Sequence, residues 1–498
     1  MRFQFTEEKI IPKPLIKTIN QTFERISDLP EELPAPPFNP SFLFNPDLQS
    51  LLEGKALLPE EIPHSTEEIQ RHYENGHLIY SKGIQTVKGR SQCMRCGNKD
   101  DTLFASFPCS RCGDECIYCR KCIMMGRVSQ CSPLIEWTGP SQNTKIEGVE
   151  WKGTLSNGQQ TASDKVIGAI SKNTDLLVWA VCGAGKTEVL FNGIHQALKI
   201  GKRICIATPR TDVILELAPR LKKVFPAANP VALYGGSDDR QKLSQLVLST
   251  THQLYRYKSA FDVIIVDEVD AFPYSFDQTL QYAVQKARKP HSSLIYLTAT
   301  PDSQLKREAK QGKRDSVTIP ARYHRHPLPV PSIKWCGNWK SQLDKNRLPF
   351  PIKQWTENRI SINKQALIFF PSVKTMVTAL PLFQKLNSNI ESVHAEDPER
   401  KEKVQRMRVG EIPILLTTTI LERGVTIPNI DVAVVGAEEE IFTESALVQI
   451  AGRVGRNAEY PSGDITFFHY GKTLSMIQSI KHVKEMNREG MKRRLLNK

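Results

Sequence analysis

At 498 residues, with 40% apolar and 24% charged side chains, the chain is too long for one hydrophobic core and predicts about three folded parts, excluding wholesale disorder and a fibrous architecture. Apolar runs such as 176–181 and 366–370 fall far short of the roughly 18 to 20 residues a bilayer span needs, and the opening MRFQFTEEKIIPKPLIK lacks a signal-peptide apolar region, so a cytosolic protein is expected. The net charge of +14 favours an anionic partner; residues 1–150 carry 17 Lys and Arg against 20 Asp and Glu, so the excess lies on the rest, concentrated in 301–350 and in the tail from Gly471.

Residues 1–90 are proline-rich and of mixed charge, and predict short helices separated by loops without evident chemistry. Residues 91–135 hold eight of the eleven cysteines, as CMRCGN, CSRCGDEC and CIYCRKC followed by Cys131. Reduced thiols spaced as Cys-x2-Cys point to zinc, because each tight turn offers two thiolates and two turns complete a tetrahedron. Spacing leaves the partition open. Cys93 and Cys96 join either Cys119 and Cys122 or Cys109 and Cys112, and a second ion that takes Cys116 or Cys131 is compatible with the same spacing. Cys182, Cys205 and Cys336 stand alone and read as small buried residues.

From about residue 150 short apolar runs alternate with helical segments, the mark of parallel sheets covered by helices. LLVWAV, RICIA, VALY, QLVLST, VIIVDE and SLIYLT form one α/β lobe over 150–325; ALIFF, ESVHA, IPILLTT, DVAVV and DITFFHY form a second over 351–475. The Pro- and Lys-rich stretch IPARYHRHPLPVPSIKW leads into a basic linker at 326–350, and a basic tail occupies 476–498.

Ala180, Val181, Cys182, Gly183, Ala184, Gly185, Lys186 and Thr187 follow a strand-like run and precede a helical one. This is the context of a phosphate-binding loop for ATP, with backbone amides and the helix N-terminus facing phosphate, Lys186 neutralising charge and Thr187 holding magnesium. Its first position is Ala180 where the usual pattern has glycine. The acidic turn Asp267–Glu268–Val269–Asp270 follows the buried-strand run VIIV. Asp267 is suited to magnesium, and Glu268 to orienting and deprotonating the attacking water.

In this order the chain resembles the superfamily 2 helicases over residues 155–469, which implies two RecA-like lobes. LSNGQ, ending at Gln159, resembles the adenine-recognising Q motif; ATPR (207–210) motif Ia; STTHQL (249–254) motif Ib; DEVD motif II; TAT (298–300) motif III; IFFPS (368–372) motif IV; TTTILERGVTIP (417–428) motif V; and QIAGRVGR (449–456) motif VI. Arg453 and Arg456, expected on one face of a short helix, are candidate arginine fingers. Gln449 and, in motif V, Glu422, Arg423 and Gly424 would line the nucleotide cleft. Thr208, Arg210, Thr250, Thr251, Ser372, Thr417 and Thr418 are hydroxyl and cationic groups at strand ends, suited as a set to the phosphates of a tracked strand.

Adding CxRCG, YCRxCxMMGRV, WAVCGAGKTE, ATPRTDV, DEVDAFPYS and CGNWK, the chain is similar over residues 92–487 to the ComFA family of late-competence ATPases of Gram-positive bacteria. That resemblance implies zinc on Cys93, Cys96, Cys119 and Cys122, an ATPase stimulated by single-stranded DNA, and a translocase that imports transforming DNA. It also implies a peripheral position at the inner face of the membrane beside the uptake channel, a partner resembling the phosphoribosyltransferase-fold protein ComFC, and self-assembly as an option. A primosomal-restart-like repair helicase, an RNA helicase and a zinc-organised DNA-binding scaffold with a nucleotide switch are the rival readings.

Overall fold

In a computed structural model of the chain, the described residues are all except 18–21, 88, 143, 423–426 and 498. The expectations for Arg423 and Gly424 therefore lie outside the described residues. Contacts divide the chain into two compact units, one of residues 1–151, 169–175 and 194–295, the other of residues 152–168, 176–193 and 296–498. Among the described residues no helix is long and apolar enough to cross a membrane.

The N-terminal region is more sheet than the proline content suggests. Strands β1 (Arg2–Phe5), β2 (Ile10–Pro12) and β3 (Glu24–Arg25) form an antiparallel sheet in the order β2–β1–β3. Helix α1 (Pro46–Leu52), strand β4 (Ala56–Leu57), helix α2 (Thr66–Glu74) and strand β5 (Leu78–Lys82) follow. Two ribbons come next, β6 (Ile84–Val87) with β7 (Arg90–Cys93), and β8 (Phe104–Pro108) with β9 (Glu115–Cys119). Strand β10 (Pro133–Trp137) then returns to pair with both β4 and β5. The cysteine segment is thus bracketed by strands of one sheet, and Phe3, Ile26, Leu48, Tyr73, Leu78 and Ile135 share one core.

Further elements are α3 (Asn157–Lys172), β11 (Leu176–Ala180), α4 (Lys186–Lys199), β12 (Ile204–Thr208), α5 (Thr211–Val224), β13 (Val231–Leu233), β14 (Leu246–Thr250), β15 (Phe261–Asp267), α6 (Gln278–Ala287), β16 (Arg288–Thr298), α7 (Ser303–Lys310) and β17 (Asp315–Ile319). Their strands form a seven-stranded sheet in the order β13–β14–β12–β15–β16–β11–β17. The boundary between the compact units falls inside β16, after Ile295.

The last stretch contains β18 (Ser332–Trp335), α8 (Trp339–Asp344), α9 (Phe350–Ser361), β19 (Ala366–Phe369), α10 (Val373–Gln384), β20 (Glu391–Val393), α11 (Arg400–Arg408), β21 (Ile414–Thr417), β22 (Asp431–Val435), α12 (Glu444–Ala451), β23 (Ile465–His469) and α13 (Leu474–Lys492). A six-stranded parallel sheet runs β18–β23–β22–β19–β21–β20. Successive strand residues point to opposite faces, and both faces are buried here: Leu367, Phe369, Val432 and Val434 pack in one cluster, Ala366, Ile368, Ala433 and Val435 in the other. Part of the stretch read as linker belongs to this lobe, because β18 pairs in register with β23.

The fold is therefore α/β with two parallel-sheet RecA-like lobes behind a cysteine-rich region. One ionic cluster closes the second sheet. Arg359 of α9 stacks over Trp355 at 4.1 Å and bonds Asp431 of β22 at 3.1 Å and Asp464, just before β23, at 2.6 Å. Removing the guanidinium of this partly buried network leaves the buried Asp431 carboxylate without its cation. Arg359→Leu is expected to destabilise the lobe by about 3 kcal/mol in urea unfolding; a change under about 0.5 kcal/mol, the range of a neutral surface substitution, would contradict this account.

Candidate nucleotide site and metal centres

The phosphate loop has the expected strand, loop and helix context. Buried β11 ends at Ala180, Gly183 and Gly185 take positive φ, and α4 begins at Lys186. Lys186 and Thr187 sit half-buried in the first helical turn, where amide groups and the helix dipole favour phosphate. Gln159, almost wholly buried in the first turn of α3, fastens this loop: its Nε2 donates to the Ala184 carbonyl at 2.9 Å and its Oε1 accepts from Ser156 N at 2.8 Å.

The loop also touches motif VI. The Cys182 thiol donates to Gln449 Oε1 at 3.0 Å. A Cβ on Gly452 would lie 2.5 Å from Cys182 Cβ and 2.7 Å from its sulfur, so this approach requires glycine. Helix α12 ends at Ala451, which corrects the expectation for the two arginines: Gly452 caps the helix, and Arg453 and Arg456 lie in the turn beyond it. Arg453 is buried, and Arg456 Nε donates to the Gly452 carbonyl at 2.8 Å. Thr300 of motif III donates to Ser445 of α12 at 2.8 Å.

Arg322, which sequence reasoning passed over inside a stretch read as leading into the linker, joins these parts. Its guanidinium, 2% exposed, donates to the carbonyls of Cys182 at 3.1 Å, Gly452 at 3.2 Å and Val454 at 2.7 Å, and also to that of Gly455. Burial, with the neighbouring Arg456 charge, brings its pKa down to about 10. A lone arginine carries no spacing signal, and only the fold reveals this role.

Motif II stands at the end of β15. Glu268 holds a left-handed backbone, φ 57°, and its N–H donates to Asp267 Oδ1 at 2.9 Å. A non-glycine residue in that region stores strain of a kind that clusters at functional sites. Of the candidate strand-contacting residues, Thr208, Thr250, Thr251 and Thr417 have buried side chains, Arg210 and Thr418 are half-buried, and Ser372 is exposed and caps α10 through Thr375 N.

The eight clustered cysteines separate into two buried tetrads, Cys93, Cys96, Cys119 and Cys122, and Cys109, Cys112, Cys116 and Cys131. In each the Cys-x2-Cys turn closes by an amide donating back to the first cysteine, Gly97 N to Cys93 O at 2.7 Å and Gly113 N to Cys109 O at 2.8 Å. Both glycines need positive φ, 75° and 76°. Strand β9 serves both groups, since Cys116 and Cys119, three apart, fall on opposite faces. Sulfur separations of 3.8 Å for Cys93 and Cys122, 3.7 Å for Cys96 and Cys119 and 3.6 Å for Cys109 and Cys131 match the roughly 3.8 Å edge of a tetrahedron with 2.3 Å zinc–sulfur bonds. The tetrads therefore fit zinc.

The first tetrad is bound to the element after motif II. Lys286 of α6 donates to Arg95 O at 2.5 Å, Lys121 bonds Asp277 at 2.8 Å, and Gly97 lies against the Tyr282 ring. Arg95, fully buried, in turn donates to the carbonyls of Cys122, Met125 and Gly126.

Residues 39–136 match the family profile of the competence protein ComFA N-terminal domain. Residues 152–303 match that of the type III restriction enzyme res subunit, and 352–458 the helicase conserved C-terminal domain. The competence protein ComFA of Bacillus subtilis is 54% identical over 445 residues, covering 89% of this chain and 96% of that protein. The chain belongs to the ComFA family. ComFA of Streptococcus pneumoniae is 38% identical, covering 82% of this chain and 92% of that protein. The Mycobacterium smegmatis helicase Lhr, solved with ssDNA and AMP-PNP, aligns at 16% identity and a TM-score of 0.49, covering 66% of this chain and 48% of that one. Family and domains together make the chain a competence-related, ATP-dependent superfamily 2 helicase or translocase.

Arg322→Met is expected to orphan the buried carbonyls of Cys182 and Val454, while those of Gly452 and Gly455 keep Arg456 and His324 as partners, costing about 3 kcal/mol in denaturant unfolding and weakening nucleotide binding; unchanged stability and unchanged binding of a fluorescent ATP analogue would contradict the bridging role.

Proposed function

We propose that this chain is an ATP-driven motor that advances along single-stranded DNA and draws transforming DNA into the cytosol. The observation that supports it most is the hydrogen-bonded path from Gln159 through Ala184 and Cys182 to Gln449, closed by Arg322 onto the motif VI turn. A nucleotide on the phosphate loop has, through that path, a mechanical connection to the arginines of motif VI.

In this reading Gln159 recognises adenine, the amides of residues 180–187 cradle the phosphates, and Lys186 neutralises them. Thr187 and Asp267 would hold magnesium, which when bound supplies further charge neutralisation on the phosphates. Glu268 takes the proton of the attacking water, while Arg453 and Arg456 stabilise the charge of the transition state and Gln449 reports nucleotide state. Loss of the γ-phosphate loosens the path at Cys182, and the strand is released and regripped. Arg210, Ser372 and Thr418 grip the DNA backbone through side chains, and Thr208, Thr250, Thr251 and Thr417 through main-chain groups beside them. Zinc on Cys93, Cys96, Cys119 and Cys122 holds the module against α6. The motor works peripherally at the inner face of the membrane, beside the uptake channel and a phosphoribosyltransferase-fold partner.

A motor that tracks one strand pushes bound protein off its end. On biotinylated single-stranded DNA capped by streptavidin, the protein with ATP is expected to accelerate streptavidin release, and Lys186→Ala to reduce that release by about a hundredfold or more while leaving the fold intact. Equal release by the variant would refute the site assignment; release from duplex forks alone would favour a repair helicase.

A further inference from the structure

The second tetrad has neighbours of its own, different from the α6 contacts of the first. Its four sulfur-bearing residues are at most 5% exposed, and Phe107 packs against them. The residues around it come from the start of the chain. The Met1 nitrogen donates to Cys131 O at 3.1 Å, and Arg2 Nε to Cys112 O at 2.7 Å. Arg2 also pairs with Asp114 of the same turn and donates to Phe23 O at 2.8 Å, beside β3. Arg25 of β3 donates to Glu115 O at 2.8 Å, and Ser27 N to Gln130 O at 3.1 Å. Every one of these acceptors but Phe23 lies within three residues of a cysteine of the tetrad.

We propose that Cys109, Cys112, Cys116 and Cys131 form a second zinc centre, and that its role is to clasp the N-terminal sheet β1–β3 onto the cysteine module. The chemistry favours this pairing. Four thiolates around one divalent zinc leave a net negative charge, and buried charge requires nearby cations and donors. Arg2 of β1 and Arg25 of β3 supply the cations, and the Met1 nitrogen a further donor. The same hydrogen bonds fix the carbonyls of the ligand turns, as partners beyond the ligands do in metal sites generally. The family profile begins at residue 39, so the clasped strands β1–β3 lie before the matched range.

The test uses the full-length protein. Metal analysis by inductively coupled plasma mass spectrometry is expected to find two zinc ions per chain in wild type and one in Cys131→Ser. Hydrogen exchange on Cys131→Ser is expected to show lost protection in β1 and β3 with unchanged protection in β19, β21 and β22, which controls for general misfolding. Arg2→Ala keeps all eight clustered cysteines and should release one of its two zinc ions to a chromophoric chelator about tenfold faster than wild type, the other at the wild-type rate. One zinc ion per wild-type chain would overturn the site. Unchanged β1 protection in Cys131→Ser, or wild-type release of both ions by Arg2→Ala, would overturn the clasp.

Discussion

Four main-chain carbonyls, those of Cys182, Gly452, Val454 and Gly455, are bound by one buried guanidinium. Much of the nucleotide site follows from that constraint. A buried acceptor without a donor costs more than a hydrogen bond gains, so the phosphate loop and the motif VI turn cannot shift independently without orphaning one of them. The Cys182 thiol on Gln449 and the bare Cα of Gly452 close the remaining space. An arginine suits this better than a lysine, because its planar fork offers five fixed donors. The 180–187 loop and the motif VI turn are thus tied together by the carbonyls that Arg322 binds.

The cysteine module solves a different problem. Between Cys93 and Cys131 the one buried apolar residue that is not a cysteine is Val128. A segment with so little to bury cannot form a core of its own, and what it buries instead is two cysteine tetrads whose arrangement fits metal. Each tetrad then binds its own neighbour, the first α6 through Lys121, Lys286 and the Tyr282 ring, the second the strands β1 and β3. Strand β9 carries a ligand to each on opposite faces, so the two attachments share one rigid element.

Much of the two lobes was legible in the sequence because central parallel strands are buried on both faces and read as unbroken apolar runs: VIIV of β15 and ALIF of β19 are examples. Elements with polar or proline-rich sequences were not. DSVTI of β17 and SIKW of β18 lie at sheet edges and leave much of their length exposed, and the second was read as linker. The strands of the first 138 residues are two to five residues long and interrupted by prolines, too short for periodicity to register. Among the site residues, the phosphate loop and acidic turn were visible as contiguous motifs. The resemblance implied the tetrad Cys93, Cys96, Cys119 and Cys122, which the structure groups together; spacing alone left the partition open, and the opposite faces of β9 explain why Cys116 and Cys119 go to different tetrads. Arg322 was invisible because its partners are backbone atoms distant in sequence.

The central claim is that hydrolysis is tied to a single DNA strand. Steady-state phosphate release by the purified protein, measured with no nucleic acid, single-stranded DNA, duplex DNA and RNA at two salt concentrations, tests it most directly. The account predicts strong stimulation by single-stranded DNA alone, weakening with salt as phosphate contacts release counterions. Equal or greater stimulation by duplex DNA or RNA, or no turnover under any condition, would contradict it.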